Sequence, residues 1–235
     1  MNHPANDRLH FYFHPSPNPM KVALLLGELG AAFETHAVDI FKGAQHTPEF
    51  LALNPNGKVP VLVDGGTTVF DSHAILIYLA EKEQRFLAKQ GAARATTLSW
   101  LQFIATGLSP FSGQAVHFLH YAPESIAYAK NRYVKEVERH YRVLEDRLAA
   151  SKYLAGGEYS IADMALWGWA RGAAYIFGDA GLTAYPHVQA LVNSISERPA
   201  AVRATKLADG LTLKTEFDDE TKRALFPQNR AVELQ

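Results

Sequence analysis

The sequence predicts an α/β domain followed by an all-α domain. Up to about residue 87, short apolar and aromatic runs of strand length alternate with apolar residues at helical spacing. A polar stretch at about Glu83 to Gly91 then has the composition of a domain joint. Beyond it, strand patterns disappear and helical spacing continues. We therefore predict a first domain at residues 9–87, an all-helical domain at 92–208 and a C-terminal tail at 209–235.

The first half of the α/β domain predicts a strand, a helix and a second strand. His10–Phe13 is a short aromatic strand, and the turn-rich run Pro15–Pro19 is the loop that follows it. A helix comes next and ends at Gly30. Its apolar residues at helical spacing are Val22, Leu25, Leu26 and Leu29. Phe33–Ile40 is the second predicted strand.

The second half of this domain predicts a hairpin and a helix. Phe41–Asn54 is a polar loop with one helical turn near Pro48. Val61–Val63 and Thr67–Phe70 are strands joined by a tight turn. The helix after them has three apolar residues on one face, namely Ile75, Tyr78 and Leu79. The order β-α-β, loop, β-β-α is that of a thioredoxin-like domain.

Two local motifs in this domain predict a binding pocket. Pro60 opens a strand after a turn-rich loop, so the Val59–Pro60 bond is a candidate cis peptide. A cis bond there would turn the N–H and C=O of Val59 outward, where they could pair with an extended peptide. Asp71 and Ser72 stand where a helix begins, and the N–H and hydroxyl of Ser72 can hold a carboxylate. Together these motifs indicate a receptor for a short acidic peptide, although Asp71 and Ser72 alone would also suit an ordinary helix start.

The second domain is predicted to contain a long amphipathic helix and a central apolar one. The long helix has a single buried stripe at 3-4-3-4 spacing, formed by Val134, Val137, Tyr141, Leu144 and Leu148. Lys152–Gly157 ends it. Ser160 and Asp163 then form a capping box, with Tyr159 and Met164 as a hydrophobic staple, at the start of the apolar helix. The tail is polar and lacks a sustained period, but its apolar residues predict that it packs back on the protein. These are Phe217, Leu225 and Phe226.

Composition and charge favour a protein that acts on small molecules. The chain has 235 residues, 48% of them hydrophobic, which suffices for the core of one or two domains. Its net charge of −1 offers no basic surface for nucleic acid and no polybasic membrane anchor. No apolar run approaches the length of a membrane span, and the first residues lack the apolar core of a signal peptide. We expect a cytoplasmic protein that binds neither nucleic acid nor membrane.

The chain contains no cysteine. This absence excludes a disulfide framework and cysteine-ligated zinc. It also excludes a dithiol cycle carried by the protein, so any thiol chemistry must use a sulfur that arrives with a ligand.

In combination, these motifs resemble those of the soluble glutathione transferases across residues 9–205. The proline-led strand, the acidic residue with its serine and the capping box have the order and spacing of that superfamily. Within it, the chain is similar to bacterial Nu-class enzymes with disulfide-bond reductase activity, which resemble the Ure2-like group. The residues that carry this similarity are Phe13–Asn18, Lys42–Gln45, Asn56–Pro60, Trp100 and Leu101, Gly113 and Gln114, Tyr128 and Ala129, and Arg132 and Tyr133.

The resemblance implies catalytic roles at the start of the first helix. Ser16, where these enzymes often have Thr, and Asn18 would stabilise the thiolate of bound glutathione, because hydroxyl, amide and helix dipole all favour an anion there. Pro19 follows Asn18 where a more flexible residue is frequent, so this loop is expected to be stiffer. Read without the resemblance, Ser16 and Asn18 would be ordinary turn and cap residues.

It also implies the residues that bind the rest of the peptide. Val59, before Pro60, would pair with the cysteinyl backbone. Asp71, which replaces the commoner Glu and is one methylene shorter, and Ser72 would take the γ-glutamyl amine and carboxylate. Gln45 and Lys58 would donate to the glycyl carboxylate. Arg132 would donate to a carboxylate of a second glutathione. On residue pattern alone, Arg132 lies off the core stripe and is equally well a solvated surface residue.

The histidines predict no metal site. The chain has ten, but no pair has the spacing of a zincin motif, so surface or hydrogen-bonded roles are expected for residues such as His36, His46 and His140. His117 with Phe118, and His120 with Tyr121, are predicted to line the substrate side.

These features predict an enzyme that uses glutathione as co-substrate, without a metal, to reduce small disulfides or organic hydroperoxides. One alternative is a transferase that conjugates glutathione to small electrophiles. Another is a non-catalytic, glutathione-binding regulatory protein, although the retention of Ser16, Lys58, Asp71 and Ser72 argues against it. The resemblance also implies a homodimer in which each thioredoxin-like domain packs against the partner's helical domain.

Overall fold

Four β-strands form one mixed sheet in residues 8–229, the part of the chain that the computed structural model describes. The strands are β1 (Leu9–Phe13), β2 (Phe33–Ala37), β3 (Val61–Asp64) and β4 (Thr67–Phe70). Their order across the sheet is β2-β1-β3-β4. β1 runs parallel to β2 and antiparallel to β3, and β3 pairs antiparallel with β4. This topology confirms the predicted thioredoxin-like domain.

Three helices complete this domain: α1 (Pro17–Leu29), α2 (Pro48–Leu53) and α3 (Ser72–Lys82). α1 begins at Pro17, inside the run that was predicted as a loop. Proline is tolerated in the first turn of a helix, because the N–H that it lacks would have no helical partner there. It ends at Gly30, as predicted, where the backbone is left-handed with φ of 67°.

The predicted second strand is too long. β2 stops at Ala37, and Ile40–Lys42 form a 3₁₀ turn instead. The carboxylate of Asp39 caps this turn by accepting a hydrogen bond from the N–H of Phe41 at 3.2 Å. An aspartate that bonds the backbone two residues on favours a turn over a strand, so the chain leaves the sheet there.

The two faces of the sheet bury different cores. Phe11 and Phe13 are fully buried in the main core, which also contains residues of α1 and α3. The opposite face has a smaller cluster in which Phe50 of α2 packs beside Val61 and Tyr12. Because side chains alternate along a strand, His10 lies on the same face as Tyr12.

The second domain is all helical. Its helices are α4 (Gly91–Phe103), α5 (Ser109–Val116), α6 (Ala127–Ala150), α7 (Ile161–Ala170), α8 (Ala174–Phe177), α9 (Pro186–Ser196) and α10 (Pro199–Thr205). The predicted stripe of α6 is buried at four of its five positions, and Val134 at its start is partly exposed. Within residues 8–229, no helix has both the length and the apolar character needed to span a membrane.

Two π-helical segments, Ile104–Leu108 and His117–Tyr121, flank α5. Pro110 gives a reason for the first one. Proline has no N–H, and its ring collides with the carbonyl one turn earlier, so the regular hydrogen-bond ladder cannot continue through this point. Widening the helix by one residue is a common solution, and such segments often lie at functional sites.

The predicted capping box at the start of α7 is confirmed. The hydroxyl of Ser160 accepts from the N–H of Ala162 at 3.3 Å. One carboxylate oxygen of Asp163 accepts from the N–H and the hydroxyl of Ser160, at 2.8 and 2.9 Å. The other accepts from the N–H of Leu154 at 2.8 Å, so Asp163 also fixes the loop that follows α6.

Helix α1 joins the two domains, because it packs against α7 and α10 as well as α3. A Cβ on Gly168 of α7 would lie 2.5 Å from Cγ of Lys21 and 2.7 Å from the carbonyl oxygen of Pro17, so only glycine allows this approach. At the other end of α1, Glu28 forms an ion pair with Arg198.

The tail packs back on the protein, as predicted. Phe217 stacks on Tyr121 with ring centroids 4.6 Å apart, and Phe226 meets the ring of His117 at 4.6 Å. Although the tail sequence has no sustained hydrophobic period, Asp219–Leu225 form helix α11. Asp218 caps it by accepting from the N–H of Thr221 at 2.8 Å, a single local contact that a periodicity search does not detect. Residues 230–235 of the predicted tail lie outside the described residues.

Candidate active site

A cavity of about 760 Å³ lies between the two domains at the N-terminus of α1. Its walls come from α1, the loop before β3, the start of α3, the helical run from Ala105 to Phe118, the end of α7, and the tail. The lining residues are Asn18, Lys21, Lys58, Asp71, Ser72, His73, Ala105, Ser109, Pro110, Gly113, Gln114, His117, Phe118, Trp169, Phe226 and Gln228. Four of the residues predicted to bind or activate the ligand are therefore brought together: Asn18, Lys58, Asp71 and Ser72.

Asn18 lies in the first turn of α1, and its orientation is fixed by Trp169. The indole Nε1–H of Trp169 donates to Oδ1 of Asn18 at 3.1 Å. An indole nitrogen can only donate, so the oxygen of the amide must face the tryptophan. The amide Nδ2 has no hydrogen-bond partner among the described residues and is available to donate to an anion in the cavity.

Ser16 is the N-cap of α1, and it precedes the cavity wall without lining it. Its hydroxyl makes no capping hydrogen bond. Its N–H donates to the carbonyl of His14 at 2.7 Å, which turns the chain from β1 into the helix. The hydroxyl of Ser16 and the amide of Asn18 therefore stand at the same helix end, where the dipole favours negative charge.

Asp71 and Ser72 form the start of α3. Asp71 is the N-cap, and its Oδ1 accepts from the N–H groups of His73 and Ala74 at 2.8 and 3.3 Å. Its backbone has φ of 72°, which an L residue rarely adopts. Ser72, the first helical residue, is buried. Asp71 thus has the helix-start role that its position also suggested, because it caps the helix that presents Ser72.

The loop that carries Lys58 and Val59 is held by Asn54. The buried amide of Asn54 donates to the carbonyl of Lys58 at 2.6 Å, and its oxygen accepts from the N–H of Asn56 at 3.0 Å. The Val59–Pro60 peptide bond is cis, as predicted. Among the described residues, the N–H and C=O of Val59 make no hydrogen bond, so both remain available at this edge of the loop.

Besides Ser16, the predicted residues that do not line the cavity are Gln45, Val59, Pro60 and Arg132. Two of these have side chains that are engaged elsewhere. Gln45 is buried under the tail, and its Nε2 donates to the carbonyl of Ala224 in α11 at 3.2 Å. Arg132 lies on an exposed part of α6, where it pairs with Glu136 at 3.2 Å. The adjacent Arg139 and Arg132 hold the pKa of Glu136 down, at about 2. The sequence suggests neither contact, because one joins residues far apart in the chain and the other is a common surface pair.

The cavity wall also contains a buried lysine that the sequence motifs do not predict. Lys21 is fully buried, and its Nζ donates to Nε2 of His73 at 2.9 Å and to the hydroxyl of Ser109 at 3.2 Å. Burial lowers the pKa of Lys21 to about 7, although the charge of Asp71 acts in the opposite direction. One signal was present, since Lys21 shares the apolar face of α1 with Leu24 and Leu25 at helical spacing.

His73 is neutral in this arrangement. When Lys21 is protonated, its ammonium group can only donate, so Nε2 of His73 accepts and the ring proton lies on Nδ1. Burial lowers the pKa of His73 to about 2, and the nearby charge of Lys21 lowers it further. The cavity wall thus has a buried amine whose partners are neutral.

One wall of the cavity is aromatic. His117 and Phe118 line it, as predicted, whereas His120 and Tyr121 do not. His120 bonds the carbonyl of Tyr175 at 2.7 Å instead. Burial lowers the pKa of His117, which lies against Phe226 of the tail. This wall suits an apolar or planar group better than a charged one.

Comparisons with known proteins identify the family. The family model described as the glutathione S-transferase N-terminal domain matches residues 15–82, and that of the C-terminal domain matches residues 127–194. Disulfide-bond oxidoreductase YfcG of Escherichia coli K12 is 42% identical over 219 residues, covering 90% of this chain and 98% of YfcG. The chain therefore belongs to the glutathione S-transferase family.

Solved structures agree with this assignment. A glutathione transferase family member from Pseudomonas fluorescens Pf-5 with two glutathione molecules bound has a TM-score of 0.81 at 35% identity, covering 85% of this chain and 92% of that one. Glutathione transferase URE2P6 from Phanerochaete chrysosporium, in complex with oxidised glutathione, has a TM-score of 0.80 at 34% identity. The match covers 85% of this chain and 95% of that one. Both relatives hold forms of the same tripeptide.

Proposed function

We propose that this protein reduces small disulfides with two molecules of glutathione. The observation that carries the proposal is the cavity at the start of α1, where the amide of Asn18 is available to stabilise a thiolate in a chain that has no cysteine. The sulfur must therefore come from the ligand. The similarity to a disulfide-bond oxidoreductase and to a transferase structure with two glutathione molecules bound supports the same chemistry.

The reaction proceeds in two exchanges. The thiolate of the first glutathione attacks one sulfur of the substrate disulfide, forms a mixed disulfide and releases the other half as a thiolate, which takes up a proton. The thiolate of the second glutathione attacks the glutathione sulfur of the mixed disulfide. This step releases the remaining half as a thiol and gives glutathione disulfide. Two glutathiones lose two electrons, and the substrate gains them.

Each binding group has a physical reason. Ser16, Asn18 and the dipole of α1 stabilise the thiolate, which lowers the pKa of the thiol. The N–H and C=O of Val59, presented by the cis bond to Pro60, pair with the cysteinyl backbone. Asp71 and Ser72 take the γ-glutamyl amine and carboxylate, the latter with help from the N-terminus of α3.

The other end of the tripeptide meets the tail. Lys58 binds the glycyl carboxylate. Gln45 joins it only after its hydrogen bond to Ala224 is exchanged for one to the ligand. Arg132 serves a carboxylate of the second glutathione, for which it must leave its exposed pair with Glu136. These two roles are the parts of the site that require side-chain movement.

The aromatic wall favours a second candidate reaction. His117, Phe118 and Trp169 could hold a planar electrophile next to the thiolate, which would then be conjugated. Turnover with a halo-nitroaromatic, measured beside turnover with a small dialkyl disulfide and an organic hydroperoxide, separates the alternatives. Turnover of none of them, with glutathione still bound, would leave the non-catalytic, glutathione-binding protein as the function.

The first prediction concerns the thiolate. We expect Ser16→Ala and Asn18→Ala each to lower kcat/KM for a small dialkyl disulfide by about tenfold to a hundredfold and to raise the thiol pKa seen in the pH-rate profile. Arg132→Ala should raise the KM for glutathione more than it lowers kcat. The matched control is Asn193→Ala, at an exposed asparagine of α9. Full activity with unshifted profiles in both Ser16→Ala and Asn18→Ala would contradict the thiolate assignment.

The second prediction concerns affinity. Glutathione should raise the thermal stability of the protein, because it binds only the folded state. Ser72→Ala should weaken binding by about 1 to 2 kcal/mol through loss of a charge-assisted hydrogen bond. Calorimetric titration of this variant beside Ser99→Ala, at an exposed serine of α4, measures the loss. Equal affinity in the two variants would remove Ser72 from the site.

The third prediction concerns assembly. We infer a homodimer in the cytoplasm, where glutathione is kept reduced. Light scattering at micromolar concentration should give twice the mass of the chain, and a monomer mass would contradict the inference.

A further inference from the structure

Outside the glutathione cavity, three potential metal ligands converge on the exposed margin of the sheet. His10 lies on β1, and Glu34 and His36 lie on the neighbouring edge strand β2. The parallel register sets His10 directly opposite Glu34, and His36 follows two residues later on the same face. None of the three lines the glutathione cavity.

The distances between their ligand atoms suit one ion. Nδ1 of His10 lies 2.9 Å from Nε2 of His36. The carboxylate of Glu34 lies 3.7 Å from each of these nitrogens. Ligands about 2.0 to 2.1 Å from a metal are about 3.4 Å apart in a tetrahedron and about 2.9 Å apart at right angles. The observed distance of 2.9 Å equals the right-angle value and those of 3.7 Å lie slightly above the tetrahedral value, so an ion can be accommodated by small side-chain adjustments.

The surroundings support coordination in two ways. The ring of Tyr12 stacks on that of His36, with centroids 4.7 Å apart and an interplanar angle of 20°, and this contact orients the imidazole. The side chains of His10, Glu34 and His36 are 27%, 50% and 32% exposed, so an ion can enter from solvent. Two neutral imidazoles and one carboxylate are a ligand set that suits zinc and similar ions, with a fourth position left for water.

We propose that His10, Glu34 and His36 bind one divalent transition-metal ion of the type that prefers imidazole, such as Zn²⁺. The ion links the edge strand β2 to β1 and takes no part in the glutathione chemistry. The sequence offers no motif for this site, because His10 and His36 lie 26 positions apart in the chain and only the sheet brings them together.

Calorimetric titration with Zn²⁺ tests the site. The full chain is first treated with a chelator and kept free of glutathione, whose thiol would itself bind the metal. We expect one Zn²⁺ per chain. Loss of a second-shell partner typically weakens metal binding about 10- to 100-fold, so His10→Ala, Glu34→Gln and His36→Gln should each weaken it by at least that factor. His187→Ala is the matched control, because His187 forms an exposed pair with Glu145 at 2.6 Å and, among residues 8–229, belongs to no group of three potential ligands.

A second measurement keeps the result independent of folding. Thermal unfolding without metal should show that each variant is folded, and Zn²⁺ should raise the midpoint of the parent and of His187→Ala but not of the three ligand variants. No binding by the parent, or binding that the three substitutions leave unchanged, would overturn the proposal. His36→Gln should bind glutathione with the same affinity as the parent. Failure of the metal proposal can therefore be distinguished from failure of the proposed function.

Discussion

Replacing Asp163 by alanine is expected to lower the free energy of unfolding by about 3 kcal/mol. The carboxylate is fully buried and accepts hydrogen bonds from the N–H groups of Leu154 and Ser160 and from the hydroxyl of Ser160. Its removal leaves three buried donors without acceptors, at about 1 to 3 kcal/mol each. The loss is partly offset because a desolvated charge is removed as well, and burial indeed raises the pKa of Asp163 to about 6.

Urea denaturation at pH 7.5, where the carboxyl is ionised, measures this effect. Asp163→Asn should be intermediate, because an amide keeps one acceptor oxygen but turns an N–H toward one of the donors. Asp146→Ala, at an exposed aspartate of α6, is the matched control and should change the free energy by less than about 0.5 kcal/mol. Equal stability of Asp163→Ala and Asp146→Ala would show that the capping box is dispensable.

The capping box and the stripe of α6 could be predicted from sequence because both are local. Ser160 and Asp163 are three residues apart, so their spacing alone specifies which atoms meet. The same holds for the cis bond at Pro60 and for the end of α1 at Gly30. The motif around Ser72 was also local, and the structure places it at the helix start that its residues predicted.

The rest of the site depends on contacts that join distant parts of the chain. Gln45 matched a binding motif, yet its amide is bonded to Ala224, which lies 179 residues further on. The hydrogen bonds of Lys21 cross 52 and 88 residues to reach His73 and Ser109. Periodicity identifies the buried face of a helix, but it does not specify which polar group on another helix faces a lysine there.

The contact between Gln45 and the tail has a functional consequence. Phe226 and Gln228 of the tail line the same cavity as Lys58. The tail therefore covers the end of the cavity that we assign to the glycyl carboxylate. A ligand that uses both Gln45 and Lys58 must compete with the carbonyl of Ala224, and this competition subtracts from its affinity.

Lys21 leads to the second large effect. Lys21→Met is expected to make stability less dependent on pH above neutrality. Burial lowers the pKa of Lys21 to about 7 in the folded protein, against 10.5 as its ordinary value. Below about pH 7 the amine is charged in both states, and the full cost of burying that charge is present. Between about pH 7 and 10.5 the unfolded chain binds more protons, so the folded parent gains stability as the pH rises.

The size of this gain follows from the pKa values. A pKa lowered from 10.5 to about 7 corresponds to roughly 5 kcal/mol over the whole range, of which about 2 to 3 kcal/mol falls between pH 7.5 and 9.5. The parent should therefore gain this amount relative to Lys21→Met. Methionine also leaves Nε2 of His73 and the hydroxyl of Ser109 without their donor. That loss is the same at each of these pH values. The pH dependence of the difference in unfolding free energy between the parent and Lys21→Met therefore reports only the buried charge.

Urea denaturation of the parent and Lys21→Met at four pH values from 7.5 to 9.5 measures this difference. Lys89→Met, at an exposed lysine, is the matched control and should follow the parent within about 0.5 kcal/mol at each pH. Parallel curves for the parent and Lys21→Met would show that the amine is not desolvated in the folded protein. Saturating glutathione should reduce the gain, because an anion bound in the cavity beside Lys21 favours its ammonium form and restores part of the charge that burial removes.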